Sequence, residues 1–352
     1  MFGFSMYLNE DLSSEQQAYM EKLQQIGFAE IFTSIHIPED ATGPMERRLK
    51  ALGQFAQAKG MNLTVDLSAD ALARLRLSFD DLEPLLAWGV TGLRMDYGVS
   101  NATIAQVSHT MQVALNASTL SAQDIAELQQ YQANFAAIEA WHNYYPRPET
   151  GLDERYFIEK NQWLKEQGLK VMAFVPGDEA LRGPIFEGLP TLESHRHVSP
   201  FVAAIDLENN YQMDKIFIAD PGLNKTTCQQ FQAYINEQVL LLHARPMTED
   251  AQRIARRHTN RPDAARDVIR SMEARGQSHG SIPPLNTVER PRGAITIDND
   301  NYLRYKGEVQ ITKVNIAADP RVNVVGQVID ADLGLLDNCR SNQVFEIIWE
   351  EV

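Results

Sequence analysis

A chain of 352 residues, 44% hydrophobic and 22% charged, holds enough apolar material for a sizeable core. That excludes a peptide, a single small module and an intrinsically disordered chain. The formal net charge of −15 repels nucleic acid and anionic membranes, so neither is an expected partner, and any anionic ligand must meet a local basic pocket.

The opening MFGFSMYLNEDLSSEQQ has no basic start and no apolar core of signal-peptide length, and no run of 18 apolar residues follows anywhere. A cytoplasmic protein without a membrane span is expected. From there to about residue 237, β-rich runs alternate with helical patterns: FGFSMYL (2–8), AEIFTSIHI (29–37), MNLTVDLS (61–68), GLRMDY (92–97), MQVALNA (111–117), FAAIEAWH (135–142), KVMAFV (170–175) and DKIFIAD (214–220). Helix starts are legible at Ser13, Pro44, Ser78, Ser121 and Asp153, and Gly27, Gly60, Gly89 and Gly168 close four helices. Eight βα units over this length predict an α/β protein with a (β/α)8 TIM barrel over residues 1–237. No Gly-x-Gly-x-x-Gly follows the first strand and no phosphate loop of the nucleotide-binding kind occurs, which argues against a dinucleotide or nucleoside triphosphate enzyme.

Beyond residue 237 the texture changes. Residues 249–275 read as a broken helix interrupted at Pro262, and residues 245–275 hold eight arginines against five acids with no Phe, Tyr or Trp, a solvated face more than a nucleic-acid platform. A Gly/Pro/Ser-rich stretch (276–293) leads into AITID, YLRYKGEVQITKVNI, VNVVGQVI and VFEIIWEEV, which alternate apolar and polar residues. Residues 238–352 therefore read as a smaller, mostly antiparallel β domain. Its exposed edges leave a homodimer open. Cys228 and Cys339, 111 positions apart, suit a reducing compartment and read as buried packing thiols.

A barrel places its active site at the C-terminal ends of its strands. By that rule the candidates are Asp66 on strand three, Asp96 on strand four, Asn116 on strand five, Glu139 and His142 on strand six, Asp178 after strand seven and Asp220 on strand eight. A ring of carboxylates suits glycosidic cleavage, in which one acid protonates the leaving oxygen and another attacks or stabilises the oxocarbenium-like carbon. A metal could use the same ring, with His36, His142, His195 and His197 as nitrogen donors, but His195-Arg196-His197 lacks helical metal-pair spacing. No metal and no cofactor are expected. Two loop strings, HNYYPRPETG (142–151) and EGLPTLESHR (187–196), combine prolines, apolar anchors and arginines. Asn143, Arg147, Glu193 and Arg196 join the substrate-binding candidates from these loops, and Arg147, Arg182 and Arg196 supply a local basic patch.

With FGFSMYL, the two loop strings, TNRPDAARDVIRS (259–271) and GAITIDNDNYLRYKGE (293–308) in this order, the chain resembles the MupG-type 6-phospho-N-acetylmuramidases over its whole length. The resemblance implies a TIM barrel followed by a cyclophilin-like domain, and cytoplasmic cleavage of 6-phospho-N-acetylmuramyl-β-1,4-N-acetylglucosamine in peptidoglycan recycling, with that small phosphorylated disaccharide as partner. It carries over no catalytic residue. Strand ends alone select Asp96 with Glu139 or Asp66 as the catalytic pair, His142 and Asn116 as sugar-orienting groups, and arginines for the phosphate. The pair Asp206 and Glu208, which would suit a substrate-assisted reaction, falls in a helix before strand eight. A metal-dependent barrel hydrolase and a non-catalytic carbohydrate-binding or surface-interaction protein are the alternatives.

Overall fold

The computed structural model describes residues 1–35, 42–95, 98–254, 257–274 and 280–350. They form two compact units, residues 1–228 and 229–352.

In the first unit β1 (Phe2–Ser5), β2 (Glu30–Ser34), β3 (Asn62–Leu67), β4 (Gly92–Met95), β5 (Gln112–Asn116), β6 (Ile138–Trp141), β7 (Lys170–Val175) and β8 (Lys215–Ile218) pair in parallel, and β8 returns to β1 to close a barrel. Both faces of these strands are covered, and their residues are buried almost without exception, as a parallel sheet requires. The connecting helices are α1 (Ser14–Ile26), α2 (Thr42–Ala58), α3 (Ala69–Arg74) with α4 (Glu83–Ala87), α5 (Asn101–Val107), α6 (Ala122–Gln130), α7 (Glu154–Glu166) and α8 (Pro200–Asn209), and α9 (Lys225–Glu237) follows β8. Their starts are chemically specified. Ser13 and Gln16 form a reciprocal capping box, as do Ser121 and Asp124, while the Asp153 carboxylate accepts the amides of Arg155 and Tyr156.

Aromatic side chains fill the barrel. Phe32, Trp141, Phe174 and Phe217 meet with ring centroids 5.0–6.1 Å apart, packed with Ala114, Met172 and Ala219, so the interior is a core and not a channel. The helix layer has its own tight point. A Cβ at Gly53 in α2 would stand 1.8 Å from the Trp88 carbonyl oxygen at the end of α4, and Gly89 follows at φ +89° against the Gly53 backbone.

In the second unit β9 (Val239–Pro246), β10 (Arg257–Thr259), β11 (Val268–Arg270), β12 (Ala294–Asp298), β13 (Val309–Thr312), β14 (Val322–Val328) and β15 (Val344–Trp349) form one sheet in the order β10-β15-β9-β14-β12-β13-β11. Every pairing is antiparallel except β15 with β9. An antiparallel bridge between Asn260 and Ser271 joins the two ends of that order. A short helix, α10 (Leu335–Asn338), precedes β15.

The broken helix expected over 249–275 is not what forms. A 3-10 segment (Glu249–Ile254) is followed by β10 and β11, because His258 and Ile269 bury against the sheet and the backbone bonds of their strands go to β15 and β13. Pro262 sits in the turn between the strands. The arginines there are paired on the surface: Arg257 with Glu346 at 2.9 Å, Arg261 and Arg270 with Asp263 at 3.1 and 2.8 Å, and Arg266 with Asp267 at 2.8 Å. Such exposed pairs add little stability, but each of these four arginines meets a carboxylate. Both cysteines are free and buried. Among the described residues no helix is long and apolar enough to cross a membrane.

Gly53→Ala forces Trp88 away from α2, and overpacking of this kind costs about 3 kcal/mol. Thermal unfolding should show a clear fall in midpoint, and an unchanged midpoint would mean that α2 and α4 can separate without loss.

Candidate active site

The C-terminal mouth of the barrel is organised around a buried arginine. Arg94, the third residue of β4 and 4% exposed, places Nη1 3.3 Å from Oδ1 of Asp66, the penultimate residue of β3. Its Nη2 donates to Oδ1 of Asn143, just past β6. The other Asp66 oxygen accepts the Ser34 hydroxyl at 3.2 Å from the end of β2. Four strand ends thus converge on one polar array. Asn116 closes β5 beside β6 and is itself buried, with its side-chain oxygen accepting the Ser118 amide at 3.0 Å.

An aromatic and cationic rim stands over β1, β6 and β8. The Tyr7 hydroxyl donates to the Ala219 carbonyl at 2.5 Å, and Tyr144 packs edge-on against Phe174. The Arg182 guanidinium lies 3.8 Å from the centre of the Tyr7 ring and donates to the Tyr144 hydroxyl at 2.7 Å. Burial holds the Tyr7 phenol well above its ordinary range, so it stays a donor. Asp220 fixes this rim from below. Its carboxylate accepts the amides of Gly177, Arg182 and Leu189 at 2.9, 2.9 and 3.0 Å, tying the loop after β7 at three points to the end of β8. Burial raises the Asp220 carboxyl and the three amides oppose that rise.

The two loop strings come together, as their composition suggested, and brace one another. Leu152 and Leu192 form a parallel bridge, and Tyr145 donates its amide to the Pro190 carbonyl at 2.9 Å. Glu193 accepts the amides of Glu149 and Gly151 at 2.8 and 2.7 Å together with Nε and Nη2 of Arg196 at 2.7 and 2.6 Å. These donors hold its carboxyl down at about 2, the Arg196 bonds contributing most.

Four sequence-based expectations change here. Glu139 does not close strand six. Residues Phe135–Ala137 form a 3-10 turn, so β6 starts at Ile138 and Glu139 lies at the opposite end of the barrel. There it pairs with Lys215, the first residue of β8, at 2.9 Å, and Lys215 also meets Glu30 at 2.7 Å. His142 is fully buried on the outside of the barrel. Side chains alternate along a strand, so with Trp141 inside, His142 turns toward α7, stacks near Phe157 and bonds Asn161 at 2.6 Å. Asp178 is engaged at the start of α9, accepting from Asn224 and Thr227. Arg196 spends all five of its N–H groups on Glu193 and on the carbonyls of Glu187, Gly188 and Arg147, so it is a brace for the loops and not an open cation.

Asp66, Asn116, Asn143 and Asp220 are placed at the mouth end. Arg147 is exposed on its loop, in no ion pair among the described residues. Asp96 and His36 lie outside the described residues. His195 pairs with Asp206 of α8 at 2.9 Å, and among the described residues no group of three or more acidic, histidine or cysteine side chains could hold a metal. Sequence reasoning missed Ser34, Tyr7 and Tyr144. The signal for the two tyrosines was present in FGFSMYL and HNYYP, where each stands two or three residues beyond its strand.

Fold and mouth together define a two-domain barrel enzyme. The model of the 6-phospho-N-acetylmuramidase N-terminal domain matches residues 2–233, and that of the C-terminal domain matches residues 240–348. The chain belongs to the 6-phospho-N-acetylmuramidase family and is a glycoside hydrolase. A crystal structure of a conserved Enterococcus faecalis protein of unknown function is similar at 45% identity and a TM-score of 0.93, covering 99% of this chain and 96% of that one. An uncharacterized B. cereus protein is similar at 27% identity and a TM-score of 0.78, covering 99% of each chain. No curated protein matches.

Burial pushes the His142 imidazole down to about 4, with Lys160 and Arg94 adding to the effect and the bond to Asn161 opposing it. The unfolded chain binds this proton below about 6.5 and the folded chain only below about 4, so stability is full above 6.5 and lost as pH falls through that window. Urea midpoints measured from pH 7 to 4 should fall, with about 3 kcal/mol traceable to this residue, and His142→Gln should flatten the slope. An unchanged slope would show His142 protonating freely in the fold.

Proposed function

We propose that the chain hydrolyses the β-1,4 bond of 6-phospho-N-acetylmuramyl-N-acetylglucosamine in the cytoplasm, as a step of peptidoglycan recycling, without a metal. Asp66 serves as the anionic group at the anomeric carbon. Asp96, which follows β4 directly in sequence, donates the proton to the departing oxygen of the second sugar, and its carboxylate then takes a proton from the water whose oxygen bonds to the anomeric carbon, which restores the acid.

The observation that carries this reading is the Asp66–Arg94–Asn143 array. A guanidinium at 3.3 Å and a donating hydroxyl at 3.2 Å favour the charged form of a carboxylate, which suits a nucleophile or charge stabiliser and not a proton donor. A second, neutral acid is then needed, and Asp96, next in sequence after β4, is the one we assign to it. Glu139 and His142 take no part, since one lies at the far end of the barrel and the other behind its wall. Asn116 and Asn143 offer amide groups for sugar hydroxyls and the acetamido arm. Asp178, Glu193, Arg196 and Asp220 contribute by holding loops.

Asp66→Asn keeps the shape and removes the charge, and kcat on the phosphorylated disaccharide should fall about 1000-fold. Asp96→Asn should fall as far on that substrate but recover on aryl glycosides whose leaving group needs no proton. Near-normal turnover by folded Asp66→Asn would remove Asp66 from the reaction, and equal losses on both substrates would remove Asp96 as the acid.

A further inference from the structure

We infer that Arg182 is the specificity-determining residue for the phosphate of the substrate; this rests on the phosphosugar reading above. Arg182 half-emerges from the loop after β7 into a cleft of about 550 Å³ lined by residues that follow β1, β7 and β8, among them Tyr7, Glu10, Glu179 and Gly222. That volume is ordinary for a small-ligand site. The loops after strands seven and eight are also where barrel enzymes commonly hold phosphate.

The guanidinium is set in place before any ligand arrives. The Tyr7 ring supports one face at 3.8 Å, the Tyr144 hydroxyl takes one Nη1 hydrogen at 2.7 Å, and the backbone amide of Arg182 is fastened to Asp220 at 2.9 Å. Of its five N–H groups only one has a partner among the described residues, and Arg182 is in no ion pair there. A planar fork held rigid with its remaining donors uncommitted matches a phosphate, which can take two parallel N–H bonds, and little ordering is left for binding to impose.

Other arginines of the barrel unit are differently employed. Arg94 holds Asp66 and Asn143, Arg196 is saturated, and Arg47 and Arg48 are bound to Asp11. Arg147 is the rival, since it is exposed near the same rim. It lacks an aromatic support or a fixed hydrogen bond on its side chain among the described residues. The glutamates Glu10, Glu15 and Glu179 line the cleft as well, so the phosphate is directed to the Tyr7 side and the carboxylates are left to accept sugar hydroxyls.

The test is calorimetric titration of N-acetylmuramic acid 6-phosphate and of N-acetylmuramic acid into the full chain and its R182A, R182K and R147A variants. The wild type should prefer the phosphorylated sugar, and R182A should lose about 100-fold of that preference. R182K should lose about tenfold, since an ammonium cannot reproduce the fork, and it carries the test should R182A fail to fold. R147A should keep the preference within about threefold. Wild-type preference in folded R182A, or its loss in R147A, overturns the assignment to Arg182. A wild type that binds both sugars alike overturns the phosphosugar reading, and this inference with it.

Discussion

A charged guanidinium buried to 4% exposure is the constraint on which the mouth of this barrel depends. Taking Arg94 out of water costs several kcal/mol unless its charge and its N–H groups are met. The charge is met by Asp66 from one neighbouring strand and one N–H group by Asn143 from beyond β6, while Ser34 donates to the other oxygen of the acid. A carboxylate beside a guanidinium thus stands at the open end of a barrel whose core is aromatic. The arrangement is chemically suited to a glycosidase because low surrounding polarity strengthens whatever the carboxylate does at a developing positive charge.

Rigidity at the rim comes from carboxylates that bind backbone. Asp220 gathers three amides of the loop after β7, Glu193 gathers two of the loop after β6 and is locked by Arg196, and Asp178 holds the start of α9. A loop pinned at several main-chain points presents its side chains with little remaining freedom, which is what Tyr144 and Arg182 need if they are to meet a ligand in one geometry. These acids thus serve the backbone, apart from Asp66, which meets Arg94 and Ser34 and is the one proposed to face the reaction.

That division explains which parts of the site were legible in the sequence. Eight strands could be counted because βα alternation, N-caps such as Ser13 and Asp153, and Gly27 at the end of α1 are local signals. The position of Asp66 at the mouth was legible because it stands next to the end of a strand with unambiguous limits. Glu139 was misplaced because Phe135, Ala136 and Ala137 read as strand but form a 3-10 turn, which moves the acid to the opposite end. His142 was misassigned by one step of the alternation. Asp178, Glu193 and Arg196 were identified as mouth residues, but no local pattern announces that Asp178 and Glu193 accept from segments more than 40 positions away, or that Arg196 is spent on Glu193 and on loop carbonyls. In the second unit, β10 and β11 escaped notice because their strand character comes from long-range pairing with β15 and β13, not from their own arginine-rich composition.

The most direct measurement is a crystal structure of the Asp96→Asn chain with the intact 6-phosphodisaccharide bound. The anomeric carbon is expected about 3–3.5 Å from an Asp66 oxygen, with the muramyl ring over the Trp141 and Phe174 end of the core. A saccharide seated at the Glu139–Lys215 end, or at the mouth with Asp66 turned away behind Arg94, would contradict the account.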